Sequence, residues 1–179
     1  MKIENNYSPN FKAKFIDKVD GSKITDLNLK NMNLSFAKII RWNEDDIQAL
    51  EDITKWENDK FACNIYKHLK DGCAADIYLS TSQTDNFEKL DSSKILGIAQ
   101  ITPNHILGAF LDYFQVKPDL NNKGLGSSIL DSLKRIYNKI SLMPLQDEKV
   151  IKFYKKNGFY EYPEKSNFYM WYKDIFERY

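Results

Sequence analysis

Apolar positions change their period several times along this chain, and each change marks an element. Between Asn43 and Leu69 they recur at helical spacing. Ile47, Leu50, Ile53 and Trp56 follow a capping Asn43 and the acidic run Glu44 to Asp46, and a second helix is expected from about Asp59 to Leu69, ended by Asp71-Gly72. From Ala75 the pattern becomes short and dense, as in buried strands. Ala75 to Thr81, Ile95 to Thr102 and a segment from Ile106 or Ala109 to Val116 read as strands. A polar loop, Ser82 to Ser93, separates the first two. The last two are joined by a short turn at Pro103-Asn104 and are expected to pair antiparallel. Helical spacing returns between Gly124 and Lys139, where Leu125, Ile129, Leu133 and Ile136 share a face that leaves out Ser132, Lys134 and Arg135. A brief strand at Ile140 to Met143, a helix from Asp147 to Asn157 closed by Gly158, and strands at Phe159 to Tyr162 and Asn167 to Tyr172 complete the reading.

The first thirty or so residues are rich in Asn, Lys and Asp. Apolar pieces at Phe11 to Ile16 and Ile24 to Leu29, around Asp20-Gly21, suggest a loose tail followed by a hairpin or isolated strands. We therefore set residues 1–35 apart as an N-terminal extension and take 36–179 as one domain of mixed α/β (α+β) class. With 179 residues, 42% of them hydrophobic, one full core is expected.

Charge narrows the function classes. Lys and Arg total 26 against 25 Asp and Glu, so no net charge points to nucleic acid or a membrane surface, and any anion site must be local. Cys63 and Cys73 have neither the number nor the spacing of a disulfide framework or zinc knuckle. His68 and His105 have no ligand pattern around them, so no metal is expected. Met1 to Asn10 is polar, without the apolar stretch of a secretory signal, and the expected compartment is the cytosol.

The most informative stretch runs from Val116 to Ser128, in the order strand, glycine loop, helix. A helix start offers unpaired N–H groups and the positive end of the dipole, and glycines let a phosphate approach the backbone. Asn121, Asn122, Lys123, Gly124, Leu125, Gly126 and Ser127 are therefore candidates for a pyrophosphate cradle, with Ser127 and Ser128 offering hydroxyls and Lys123 a cation at the rim. The loop lacks the third glycine of a dinucleotide fingerprint and the Gly-Lys-Ser/Thr end of a Walker loop.

Val116, Pro118, Gly124 and Gly126 instead resemble, position by position, the acyl-CoA signature of the GNAT superfamily of N-acetyltransferases. Asn121 stands where Arg or Gln is usual. A second signature of that family is similar to Phe153, Tyr154, Lys155, Lys156, Asn157, Gly158 and Phe159, with Asp147, which the resemblance puts among the cofactor-binding residues, in place of the usual Asn. The resemblance spans roughly residues 40 to 172. It implies a central mixed, mostly antiparallel sheet splayed between its fourth and fifth strands, with helices on both faces and acetyl-CoA as co-substrate in the splay.

By the same resemblance, the backbone of Phe114, Gln115 and Val116 lies along the pantetheine arm, and Tyr154 supplies a proton to the leaving thiolate. Asp112 stands where several polyamine-acetylating relatives carry a base. Strand parity puts it on one face with Phe114 and Val116 unless a bulge intervenes. Trp42, Trp56, Tyr113 and Trp171 are candidates for an acceptor pocket, and Lys155 or Lys156 for the 3′-phosphate. The implied activity is transfer of an acetyl group to a primary amine of a small molecule or protein. The alternative is a degenerate acyl-CoA-binding or protein-interaction module without turnover. The expected partners are acetyl-CoA and the amine, with homodimerisation left open.

Overall fold

The computed structural model describes residues 12–42, 75–83, 91–105 and 108–173. Among these residues, eight strands form one sheet, in the order β1-β2-β3-β4-β5-β6-β8-β7. They are β1 (Lys12–Lys18), β2 (Ser35–Arg41), β3 (Asp76–Thr81), β4 (Ile95–His105), β5 (Gly108–Val116), β6 (Lys139–Leu142), β7 (Tyr160–Glu161) and β8 (Tyr169–Tyr172). The described helices are α1 (Leu27–Asn31), α2 (Leu125–Ile136) and α3 (Glu148–Lys156). None is long and apolar enough to cross a membrane. The helices expected between Asn43 and Leu69, with Trp56, Cys63, His68 and Cys73, lie outside the described residues, as does the tail before Lys12.

Every described pairing is antiparallel except β5 with β6. The mixed sheet of the sequence reading is present, and β4 and β5 pair antiparallel as expected. One face of the sheet is covered by α2. Leu125, Ile129, Leu130 and Leu133 pack there against Phe36, Ala99, Ile101, Leu111 and Val116. Residues alternating with these, among them Ile39, Ile77, Leu79, Ile98 and Gln100, are also buried but lie outside that cluster. Both faces of the sheet are therefore covered.

Three local readings are corrected. Ile136 is 39% exposed at the end of α2, while Ser132 is buried and donates to the Ser128 carbonyl at 3.2 Å, so the apolar stripe is rotated toward Leu130. The piece Ile24 to Leu29 is no strand: Ile24 plugs into the core, and Asp26 caps α1 by accepting from the Leu29 N–H at 3.0 Å. Strand β2 has no counterpart in the sequence reading. Its Phe36, Ala37 and Ile39 are buried on both sides, so it lacks the alternation that marks a half-exposed strand.

Candidate active site

The site begins where β5 and β6 part. Their ladder consists of Ala109 with Ile140 and Phe110 with Ser141, and β5 then continues to Val116 without β6 beside it. Strand β1 precedes the frame implied by the resemblance, so its fourth and fifth strands are β5 and β6 here. On its other side β5 remains paired with β4 as far as Gly97 and Val116. Among the described residues, 111–116 thus present one strand edge without a ladder partner, suited to pairing with an amide-bearing ligand.

A bulge interrupts the same stretch. Gln100 pairs with Tyr113 but Ile101 pairs with Leu111, which leaves Asp112 as the extra residue. The bulge breaks the parity expected for Asp112. Ala109, Leu111 and Val116 belong to the core under α2, and Phe114 packs against it, whereas Asp112 is exposed. Its Oδ2 accepts from Thr102 Oγ1 at 2.7 Å, and the Tyr113 hydroxyl donates to Gln115 Oε1. Asp112 therefore stands apart from Phe114 and Val116.

At the end of β5 the Lys117 N–H donates to the Leu96 carbonyl at 2.9 Å, and a short turn at Pro118–Leu120 leads to Asn121 and Asn122, both exposed. Gly124 precedes α2 with φ 86°. Beyond it, the amides of Leu125, Gly126 and Ser127 form the first turn of a twelve-residue helix, where N–H groups lack intrahelical acceptors. The side chains differ in role. Leu125 is fully buried and anchors the helix, so only its amide is available, and the same holds for Val116. Ser127 is half-buried, but Ser128 is fully buried with its Oγ unpartnered, and is withdrawn from the cradle. Lys123 is not a bare cation at the rim, since its Nζ lies 3.2 Å from Asp26 Oδ2.

Helix α3 brings the second group of residues. Asp147 caps it by accepting from Lys149 N–H at 2.7 Å and Val150 N–H at 3.2 Å. Tyr154 is 7% exposed, its ring edge-on to Phe153 at 5.1 Å and to Phe159 at 5.6 Å. Burial pushes its phenol well above the ordinary tyrosine range, so the hydroxyl stays protonated at any working pH. That hydroxyl makes no hydrogen bond to another described residue. Phe153 stacks on Phe114 of β5 with centroids 6.1 Å apart, and this contact joins α3 to the open strand.

The structure thus brings together Phe114, Val116, Gly126 and the helix of Tyr154, with Asp112 on the bulge and Asp147 at the head of α3. Lys155 and Lys156 are exposed, Lys155 lying 6.0 Å from the Tyr169 ring. Trp42 is exposed, and Trp171 is half-buried with Lys134 Nζ 5.1 Å from its ring. The sequence reading missed Asp26 and the backbone of Lys23, which lie directly on the loop. No local pattern announces such a contact, because both come from a segment far away in the chain.

Residues 86–161 match the model of an acetyltransferase (GNAT) domain. The sequence is 26% identical over 144 residues to GCN5-related N-acetyltransferase 2, chloroplastic, of Arabidopsis thaliana. That match covers 71% of this chain and 54% of the relative, so the chain spans about half the length of that curated protein. Among solved structures, the fold is similar to an acetyltransferase of the GNAT family from Bacillus cereus, with TM-score 0.51 and 19% identity over 78% of this chain and 97% of that one. It is also similar to AtaTR bound with AcCoA, with TM-score 0.57 and 14% identity over 78% and 93% of the two chains. At these identities the likeness to solved structures is one of fold.

Proposed function

We propose that the chain is a GNAT-type acyltransferase that moves an acetyl group from acetyl-CoA to a primary amine, of a small molecule or a protein, by direct attack. The observation that supports this most is the edge of β5 left open after Phe110, leading straight into the glycine loop and the first turn of α2. A strand edge pairs with the amides of the pantetheine arm, and a helix start receives the pyrophosphate. Both lie on one continuous stretch of chain, in the order the ligand needs.

In this reading the amides of Leu125, Gly126 and Ser127 hold the pyrophosphate, flanked by Asn121, Asn122 and Lys123. Phe114, Gln115 and Val116 supply backbone partners. The neutral amine attacks the thioester carbonyl, forming the C–N bond, and the tetrahedral intermediate collapses with loss of the C–S bond. Tyr154 donates its proton to the departing thiolate. Asp112, held by Thr102 and open to solvent, takes the amine's proton through water.

A thermal-shift titration with acetyl-CoA, CoA and longer acyl-CoAs, followed by a turnover screen over primary amines, tests the reading. A ligand bound only by the folded chain stabilises it by about 2.7 kcal/mol at a hundred times its dissociation constant. A saturable shift with acetyl-CoA and acetylation of at least one amine are expected. Binding without turnover on a broad panel would instead favour a module that holds acyl-CoA without chemistry.

A further inference from the structure

The segment from Asp17 to Asp26 carries more anchors toward α2 and its loop than a connection out of an edge strand needs. Asp17 lies 3.1 Å from Arg135 Nε, Lys23 lies 2.6 Å from Asp131, and Asp26 lies 3.2 Å from Lys123. Ile24 is buried between these points, and the Thr25 N–H donates to the Lys123 carbonyl at 3.0 Å. The backbone of Lys23 covers Gly124 so closely that a Cβ there would stand 1.9 Å from the Lys23 carbonyl oxygen. This segment is therefore one wall of the glycine loop.

Asp26 divides its carboxylate between two tasks. Oδ1 caps α1 through the Leu29 N–H, and Oδ2 takes the ammonium of Lys123. The Leu29 amide first, and Lys123 after it, hold this carboxyl below its ordinary range. Lys123 directly precedes the glycine at the head of α2, where the first-turn amides attract an anion. A phosphate arriving there meets a cation already engaged by a carboxylate, and the two anions compete for it.

Resting on the acyl-CoA reading of this loop, we infer that Asp26 is a positioning residue that restrains Lys123, so that the N-terminal segment sets the affinity of the loop for acyl-CoA. The ion pair is partly exposed, and the competition it imposes is modest in size. Removing the carboxylate charge frees Lys123 for the phosphates. It leaves the chemistry at Tyr154 untouched.

Asp26→Asn is the direct test, because Asn caps a helix as well as Asp and α1 is kept. Calorimetric titration with CoA is expected to show binding about two- to fivefold tighter than in the parent chain. The KM for acetyl-CoA should fall in step while kcat is unchanged, and the affinity should depend more steeply on salt. In a Lys123→Gln background the same Asp26→Asn change should do nothing, since the effect runs through Lys123. Unchanged or weaker CoA binding in Asp26→Asn, or an equal gain in the Lys123→Gln background, overturns the inference while the loop reading stands. Failure of the parent chain itself to bind CoA removes the loop reading, and this inference with it.

Discussion

Phe153 stands against Gly126. A Cβ placed on that glycine would lie 3.2 Å from the Cζ of the ring and 3.5 Å from Val116 Cγ2. The contact joins the helix of the glycine loop, the end of the open strand and the helix that carries Tyr154. Phe153 also stacks on Phe114 and touches the Tyr154 ring edge-on. Interiors packed this densely transmit displacement, so the glycine loop and Tyr154 are mechanically coupled.

The two glycines of the loop should therefore respond differently to alanine. At Gly126 the ring of Phe153 has to yield by a few tenths of an ångström, against a helix-propensity gain of roughly 0.5 to 1 kcal/mol, and the net change in stability should stay under about 1 kcal/mol. At Gly124 the φ of 86° is unfavourable for any side chain, and the obstacle is the Lys23 backbone, which cannot rotate away. A loss of about 3 kcal/mol or more is expected there. Urea denaturation of both variants gives the comparison, and equal losses would contradict the packing of the N-terminal segment over Gly124.

Tyr154→Phe separates chemistry from binding. The proposed role predicts a fall in kcat of about a hundredfold, with the dissociation constant for acetyl-CoA within about twofold of the parent. The fold should keep most of its stability, because the variant retains the ring and its edge-on contacts with Phe153 and Phe159. An unchanged kcat would leave Tyr154 as a core aromatic and nothing more.

The parts of this site legible in the sequence are those written locally. The order strand, glycine loop and helix from Val116 to Ser128 follows from apolar periodicity and two glycines, and α3 follows from the stretch Asp147 to Asn157 closed by Gly158, whereas Tyr154 is singled out on it only by the family resemblance. What was not legible depends on distant neighbours. Strand β2 hid because burial on both faces removes alternation, and α1 hid because five residues with one cap are held by the docking of Ile24 and Leu29. The position of Asp112 turns on a bulge, which is a property of the β4–β5 register and not of β5 alone. Lys123 looked like a cation awaiting phosphate because nothing nearby in the chain reveals Asp26.

Asp147 gives a third test, this time of stability. Its carboxylate accepts from the Lys149 and Val150 amides at the start of α3. Asp147→Ala should cost about 1 kcal/mol in chemical denaturation, and Asp147→Asn only a few tenths, since Asn caps nearly as well. Equal costs for the two would mean that the charge on the helix dipole, and not the cap hydrogen bonds, is what α3 requires.

Alkaline pH supplies the last test, through three tyrosines. Burial raises Tyr154 and Tyr78 above the ordinary value of 10.0, and it raises Tyr137 likewise, with the Tyr78 hydroxyl 2.8 Å away adding to the effect. The Tyr137 hydroxyl donates its one proton to Asp76 Oδ2 at 3.1 Å and accepts from the Tyr78 hydroxyl, while Lys38 pairs with the other oxygen of Asp76 at 2.7 Å. A folded-state pKa above the unfolded one favours the protonated phenol in the fold. The stabilisation is complete below about pH 10 and declines above it, because the unfolded chain then sheds protons that the folded chain retains. The unfolding free energy should accordingly be level near pH 8 to 9 and drop through about pH 10 to 11. Tyr137→Phe should flatten that drop, though it lowers stability at neutral pH by removing the bonds to Tyr78 and Asp76. A parent chain whose stability stays level through about pH 11 would show that these phenols ionise as freely in the fold as outside it.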